Sequence, residues 1–309
     1  MNISLSRLTL GTVQMGMSYG IANRTGVPPY EESREIIKYA FDAGINCLDT
    51  AAAYGDSEEV IARALRELGI EGRMVVVTKV PHLEGGLGIA DADRLVRKSV
   101  LKSLKRLNME TLPICLFHQE SNAEYLESLL KLKDAGLVGR AGCSVMTPHA
   151  TSHIVEEGLA EAIQVPGSIL DRRFFDLGIC NKAAEKGITV FLRSIYLQGL
   201  LVMPEGNIGA EHAEVVPSRR RLKRIADEAG ITLSELGLRF ALSIKDVASV
   251  LVGVDTSSQM QENIRMFKKG PLPPRLLDAV CQAAPALPEN IIMPNKWSKR
   301  MADTTSAGA

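Results

Sequence analysis

Residues 74–80 read MVVVTKV and residues 112–118 read LPICLFH. Val75, Val76 and Val77 run without a break, and so do Ile114, Cys115, Leu116 and Phe117. A half-exposed strand alternates apolar with polar residues, whereas a continuous apolar run marks a strand covered on both faces, as in parallel sheets. Six further runs share this character: Leu8–Thr12, Asn46–Thr50, Gly139–Ser144, Ala162–Val165, Thr189–Arg193 and Ser249–Val254. With Met74–Val80 and Leu112–His118 they make eight strand candidates.

Between the strands the apolar spacing changes to three and four, the helical period. Glu31–Ala43 carries Ile36, Ile37, Ala40 and Phe41 on one stripe and stops at Gly44. Asp91–Leu107 carries Leu95, Val96, Val100, Leu101, Leu104 and Leu107, with Asp91 as its cap, and Ala123–Ala135 carries Leu126, Leu129, Leu130 and Leu132 before Gly136. Acid or hydroxyl groups at the start and glycine past the end are the usual helix boundaries. Further helices are expected at Ser57–Leu68, Pro148–Glu157, Phe174–Glu185, Ser218–Ala229, Leu233–Ile244 and Ser258–Phe267. Eight strands, each followed by a helix, predict an α/β fold of the (β/α)8 TIM-barrel type; an open doubly wound sheet carries fewer strands.

No Pro/Ser-rich linker divides the chain, so residues 1–309 read as one domain. The long βα loops fall after strand one (Met15–Tyr30) and strand seven (Leu197–Pro217). A long loop in a compact barrel is usually functional, and the second predicts a flap over a ligand. A tail runs from about residue 285 to 309, and its closing TSAGA, around Gly308, is expected to be disordered.

Composition narrows the function. Hydrophobic residues make up 46% and charged residues 23%, which excludes wholesale disorder. Lys plus Arg (36) balance Asp plus Glu (36), so no basic excess drives nucleic-acid binding. No apolar run is long enough to cross a bilayer, and MNISLSRLTLGTVQ lacks the basic start and long apolar core of a signal peptide. Cys47, Cys115, Cys143, Cys180 and Cys281 are odd in number and form no C-x-x-C pair. They read as small buried hydrophobes in a reducing cytoplasm, without a disulfide framework or a metal site.

In a βα barrel, functional groups gather at the C-terminal ends of the strands. There the chain offers Asp49, Lys79 and His118, with Tyr54 on the loop after strand two. Singly, these residues are a cap, a solvated strand end, a structural histidine and a half-buried aromatic. Jointly, they are four proton-handling groups on adjacent strand ends. The segments CLDTAAAYGDSEEVI (47–61), VVTKV (76–80) and CLFHQ (115–119) resemble the aldo-keto reductase family, with its D-T-A-x-x-Y-G-x-S-E signature and Asp/Tyr/Lys/His tetrad. The likeness extends from Leu10-Gly11-Thr12 to Glu262-Asn263, nearly the whole chain.

The resemblance implies an NAD(P)-dependent oxidoreductase that passes hydride between nicotinamide and a carbonyl or alcohol. Addition to a carbonyl builds negative charge on oxygen, which Tyr54 would quench as general acid/base. Lys79 would stabilise the phenolate, Asp49 would keep the ammonium paired, and His118 would orient the substrate oxygen. The family binds its dinucleotide without the Rossmann glycine motif, and Gly85-Gly86-Leu87-Gly88 lacks the strand-turn-helix context for one.

By the same resemblance Gly11 and Thr12 border the cofactor, while Ser144 and Gln164 bind the carboxamide. Val145 stands where the family has Asn. Arg193 replaces the usual aromatic and would stack on the nicotinamide, with a rim ion pair as the other possibility. Ser194, Leu197, Gln198 and Gly199 would contact the pyrophosphate, much of it through backbone. Gly253, Gln259, Glu262 and Asn263 match the family's G-x5-Q-x-x-E-N motif at the adenine end. Many NADP-using relatives carry Arg or Lys two residues after that glycine. Here the residue is Asp255, which favours NAD while leaving NADP open.

The substrate pocket is expected from Tyr19, Asn23, Tyr54, His82, His118, Gln119 and Trp297. Aromatic residues are only 5% of the chain, which leans away from steroids. The stretch GTVQMGMSYGIANRTGVP resembles bacterial members of sugar and surface-polysaccharide metabolism and points to a sugar or hydroxylated aldehyde. The alternatives are a redox-neutral sugar isomerase or epimerase that retains its cofactor, and a non-catalytic cofactor-binding module. Monomer and homo-oligomer both stay open.

Overall fold

The computed structural model describes residues 4–297 apart from 22, 24 and 25; the closing TSAGA lies outside the described residues. Eight parallel strands close into a barrel in chain order: β1 (Leu8–Gly11), β2 (Cys47–Asp49), β3 (Val75–Val80), β4 (Leu112–Phe117), β5 (Val138–Ser144), β6 (Ala162–Pro166), β7 (Thr189–Arg193) and β8 (Ser249–Gly253). Closure comes from β1 pairing with β8, with Leu10 opposite Val252 and Gly11 opposite Gly253. Every strand expected from the sequence is present, with no end moved by more than one residue.

The two-residue repeat of a strand decides what meets the barrel axis. Cys47, Val77, Ile114, Leu116, Ala162, Phe191 and Leu251 pack together as the interior plug. The residues between them, such as Leu48, Val76 and Val250, face outward and join the larger apolar shell under the helices. One more step of two along each strand reaches the open end. That step leads from Cys47 to Asp49, Val77 to Lys79, Leu116 to His118, Ala162 to Gln164, Phe191 to Arg193 and Leu251 to Gly253. The plug and the polar groups above it thus belong to one repeat.

The helices around the barrel are α1 (Tyr30–Asp42), α2 (Ser57–Glu67), α3 (Ile89–Leu107), α4 (Leu126–Asp134), α5 (Pro148–Glu156), α6 (Arg173–Asp176), α7 (Ile179–Glu185), α8 (Val216–Glu228), α9 (Leu233–Leu242) and α10 (Ser257–Lys268). Three expectations need correction. The helix expected over Phe174–Glu185 is two, α6 and α7, because Gly178 takes a left-handed conformation at φ 67. A 3-10 turn, Glu120–Tyr125, replaces the first turn expected at Ala123. Asp91 does not cap α3: Gly88 precedes the helix, and Asp91 sits in its first turn with Arg94 at 2.9 Å, where a carboxylate favours the helix dipole.

Two further helices, α11 (Pro274–Ala283) and α12 (Glu289–Ile292), follow α10. With α8 and α9 they enclose a second apolar cluster that includes Leu197, Leu200, Leu201, Leu222, Leu236, Val280 and Ile291. The long segment after β7 is anchored there by its leucines. Arg219, itself buried, donates to the carbonyls of Leu201 and Met203. Four of the cysteines are buried and Cys281 is half-buried. Among the described residues no helix is long and apolar enough to cross a membrane.

Candidate active site

Lys79 and Asp49 meet at the open end of the barrel. The Lys79 ammonium donates to both carboxylate oxygens of Asp49, at 2.7 and 2.8 Å, and to the carbonyl of Thr50 at 2.9 Å. An ammonium has three protons, so all three are committed. Gln164 adds an amide N–H to Asp49 Oδ1 at 2.7 Å. Lys79 is 1% exposed and Asp49 4%, so each charge depends on the other. Burial draws the Lys79 pKa down, against the opposing pull of Asp49.

Tyr54 and His118 stand over this pair. Their rings meet edge to face at 5.4 Å, and the Lys79 nitrogen lies 5.4 Å from the Tyr54 ring centre. Burial and then Asp49 push the Tyr54 phenol well above its ordinary value, while Arg193 draws it down. Burial prevails at this phenol, and the Lys79 ammonium beside its ring is paired with Asp49. Two glycines let the Tyr54 loop sit close. A Cβ on Gly16 would lie 1.7 Å from the Tyr54 carbonyl, and one on Gly55 would lie 2.2 Å from the Gly16 carbonyl. Beneath them, Ser57 Oγ accepts from Thr50 Oγ1 and donates to the Thr12 carbonyl, both at 2.9 Å.

Burial, Lys79 and Arg193 hold His118 down to about 4 from its ordinary 6.5, so the imidazole is neutral near pH 7. The unfolded chain takes up that proton near pH 6.5 but the folded protein only near 4. Stability is therefore expected to fall as pH drops through this window and to level off below it. Urea midpoints across the window check this: wild type loses more than His118→Gln, and parallel curves would remove the effect.

Arg193 donates to the Val145 carbonyl at 3.0 Å and to Ser194 Oγ at 3.2 Å, and its guanidinium meets Met146 Sδ at 2.7 Å. No described carboxylate pairs with it, which disfavours the rim ion pair. Val145 itself is buried in the outer shell, so its side chain offers nothing to the cleft. Ser144 and Gln164 line the cleft beside Arg193, as do Gly11 and Thr12. The Thr12 hydroxyl turns away, donating to the Asp49 carbonyl at 2.9 Å.

After β7 the backbone is strained. Ser194, Leu197 and Gln198 have φ of 63, 50 and 53, and Gly199 reaches 97. Each such non-glycine residue costs of order 1–3 kcal/mol, and clusters of them mark functional loops. Ser194, Gln198 and Gly199 line the cleft. Leu197 does not; its side chain is anchored in the second apolar cluster.

At the far end of the cleft lie Gly253, Asp255, Gln259, Glu262 and Asn263. Gln259 Oε1 accepts from the Asp255 amide at 2.7 Å, and Thr256 caps α10 by accepting from the Gln259 amide. Burial raises the Asp255 pKa. Asn23 also borders the cleft, but it serves this end: its amide donates to Asp255 Oδ1 at 2.9 Å.

The substrate half receives Tyr19, Tyr54, His118 and Gln119. His82 does not reach it, being exposed and held 3.2 Å from Asn122 Oδ1 by a side chain that also brackets Leu83. Trp297 also lies off the cleft. It packs edge to face on His212 at 4.3 Å and donates to the Ile291 carbonyl at 3.2 Å. Met293 to Lys296, just before it, line the cleft instead. Sequence reasoning missed this stretch and Gln14. The signal for Gln14 was its place two residues past Thr12 at a strand end.

A closed βα barrel with a cleft of about 1040 Å³, lined by polar and apolar groups over a buried ion pair, is the architecture of a barrel enzyme. Residues 7–283 match the model of the aldo/keto reductase family, and the chain belongs to that family. It is 29% identical to an NADH-specific methylglyoxal reductase of Escherichia coli K12, over 85% of this chain and 90% of that protein. It is 27% identical to a probable voltage-gated potassium channel subunit beta of Arabidopsis thaliana, over 94% and 98%. The holo form of an aldo-keto reductase from Bacillus halodurans shares the fold, with a TM-score of 0.75 and 24% identity over 93% of this chain and 95% of that one.

Proposed function

We propose that the protein is an NAD(P)-dependent oxidoreductase acting on a carbonyl or alcohol, with a hydroxylated aldehyde or sugar as the favoured substrate class. The observation that carries this reading is the stack of Tyr54 and His118 over the Lys79–Asp49 pair.

The cleft suits a dinucleotide. Its volume lies at the upper end for small-molecule sites, enough for cofactor and substrate together. Its floor is cut away at Gly253, where a Cβ would lie 2.8 Å from the Gln14 amide nitrogen. Gln14 Oε1 is buried there without a donor. Ser144, Gln164 and Arg193 would hold the nicotinamide end, Ser194, Gln198 and Gly199 the pyrophosphate, and Asp255 to Asn263 the adenosine. When bound, the nicotinamide supplies or accepts the hydride.

The chain's residues handle the proton and the oxygen. Tyr54 donates its phenolic proton to the carbonyl oxygen as charge develops, and takes one back in the reverse direction. His118, neutral near pH 7, has one N–H to direct at the same oxygen and fix its position. Lys79 supplies a fixed positive charge beneath them, and Asp49 keeps that charge in place. The hydroxyls and amides of Tyr19, Gln119, Ser121 and Asn295 give a polyol hydrogen-bond partners.

A panel of aldehydes and sugars assayed with NADH and with NADPH tests this reading; turnover of none with either overturns it. Asp255 gives the panel a direction, with kcat/KM favouring NADH. Asp255→Arg is expected to move the ratio towards NADPH by about tenfold or more, since a repelling charge becomes an attracting one. An unmoved ratio removes Asp255 from cofactor choice. A second reading, a cofactor-binding module without turnover, draws on the name of the Arabidopsis relative.

A further inference from the structure

The turn between β8 and α10 receives two side chains from elsewhere in the chain. Glu32, in the first turn of α1, accepts a hydrogen bond from the Ser257 backbone amide at 2.5 Å. Asn23, on the loop after β1, donates to Asp255 Oδ1 at 2.9 Å. The same asparagine closes its own loop by accepting from the Gly26 amide at 2.8 Å and donating to the Gly26 carbonyl at 3.1 Å. It is therefore fixed at both ends. Residues 255–257 thus hold one carboxylate of their own and meet a second from α1, and Asp255 lines the cleft.

A free helix N-terminus attracts phosphate because its amides lack partners. Here the Ser257 amide already has an anionic partner from the chain itself. A phosphate arriving at this turn would meet two carboxylates and one amide fewer. A ribose hydroxyl is neutral and can donate to a carboxylate, so it suffers no such repulsion.

We propose that Glu32 and Asp255, the latter oriented by Asn23, form one selecting unit that admits a dinucleotide with a free adenosine ribose and rejects its 2′-phosphorylated form. The inference rests on the oxidoreductase reading above and adds Glu32 and Asn23 to the choice of cofactor. Neither residue touches the reacting atoms. Glu32 acts by charge, and Asn23 acts through Asp255.

Calorimetry on the full chain tests it with 5′-AMP against adenosine 2′,5′-bisphosphate, and NADH against NADPH. Wild type is expected to bind the member of each pair without the extra phosphate more tightly. Glu32→Gln keeps an acceptor for Ser257 and removes the charge. It is expected to raise affinity for the bisphosphate and NADPH by about five- to tenfold while AMP and NADH change little. Asn23→Ala, in a surface loop, supplies a second arm and narrows the same ratio by about threefold through a less oriented Asp255. Combined with Asp255→Asn, the Asn23→Ala change is expected to add nothing further, a result that a merely structural role for Asn23 does not give.

Ratios that stay at the wild-type value in both single variants overturn the unit while leaving the oxidoreductase reading intact. A wild-type preference for the phosphorylated member of each pair overturns it as well. A chain that binds none of the four nucleotides overturns both this inference and the reading it rests on.

Discussion

Replacing Tyr54 by phenylalanine is expected to lower kcat by roughly two to four orders of magnitude, the usual contribution of a positioned general acid. On the reading proposed above, the phenol is the proton donor, and Tyr54 lines the cleft. Lys79 has no proton to spare, because its three N–H groups already face Asp49 and the Thr50 carbonyl. His118 is neutral near pH 7 and has no acidic proton to give. The Tyr54 ring stays in place in the variant, since its contacts with His118 and Lys79 involve the ring and not the hydroxyl. Dinucleotide affinity is therefore expected to hold. Single-turnover kinetics with a substrate from the carbonyl panel, beside calorimetric titration of the cofactor, separate the two effects. Unchanged turnover in Tyr54→Phe would remove Tyr54 as the proton donor.

Removing Asp49 is expected to damage the fold before it can inform on chemistry. Asp49→Ala leaves the Lys79 ammonium buried with only the Thr50 carbonyl, and leaves the Gln164 amide without its acceptor. Breaking one side of a buried pair costs about 3–5 kcal/mol, a large share of the stability of an ordinary domain. A fall of several degrees in Tm is the expected readout. The double variant Asp49→Leu with Lys79→Met removes both charges and fills the volume, and such replacements are often neutral or stabilising. It is expected to recover most of the lost Tm while staying inactive. Recovery of activity along with stability would mean that the pair serves only the fold.

The barrel could be read from sequence because its strands carry the signal in their own residues. Val75 to Val77 and Ile114 to Phe117 are apolar on both faces since each strand is covered inside and out. The same two-residue repeat brings Asp49, Lys79 and His118 to one end, so their convergence follows once the strands are placed. Boundaries that depend on a single backbone conformation were harder, as at Gly178. Contacts made by loops were the least legible. Asn23 was expected near the substrate and instead meets Asp255. His82 was expected there and is held away by Asn122. Trp297 was expected there and packs on His212, while the residues just before it line the cleft. None of these contacts leaves a mark in local spacing, because each is set by a partner some 6 to 232 residues away.

The pairing of β1 with β8 also bears on how the molecule comes into being. Thr9 and Ser249, whose hydroxyls meet at 2.6 Å, are 240 residues apart. The cleft draws on residues from Gly11 to Lys296. A chain emerging from the ribosome can assemble its first seven strands one after another, but the cleft is complete only once the eighth returns to the first. Closing so long a loop is entropically slow, and such contacts set the pace of folding. Until that last seam forms, the curved sheet has two bare edges of the kind that recruit neighbouring chains. Ligand binding, which needs both sides of the seam, therefore reports the end of folding and not its beginning.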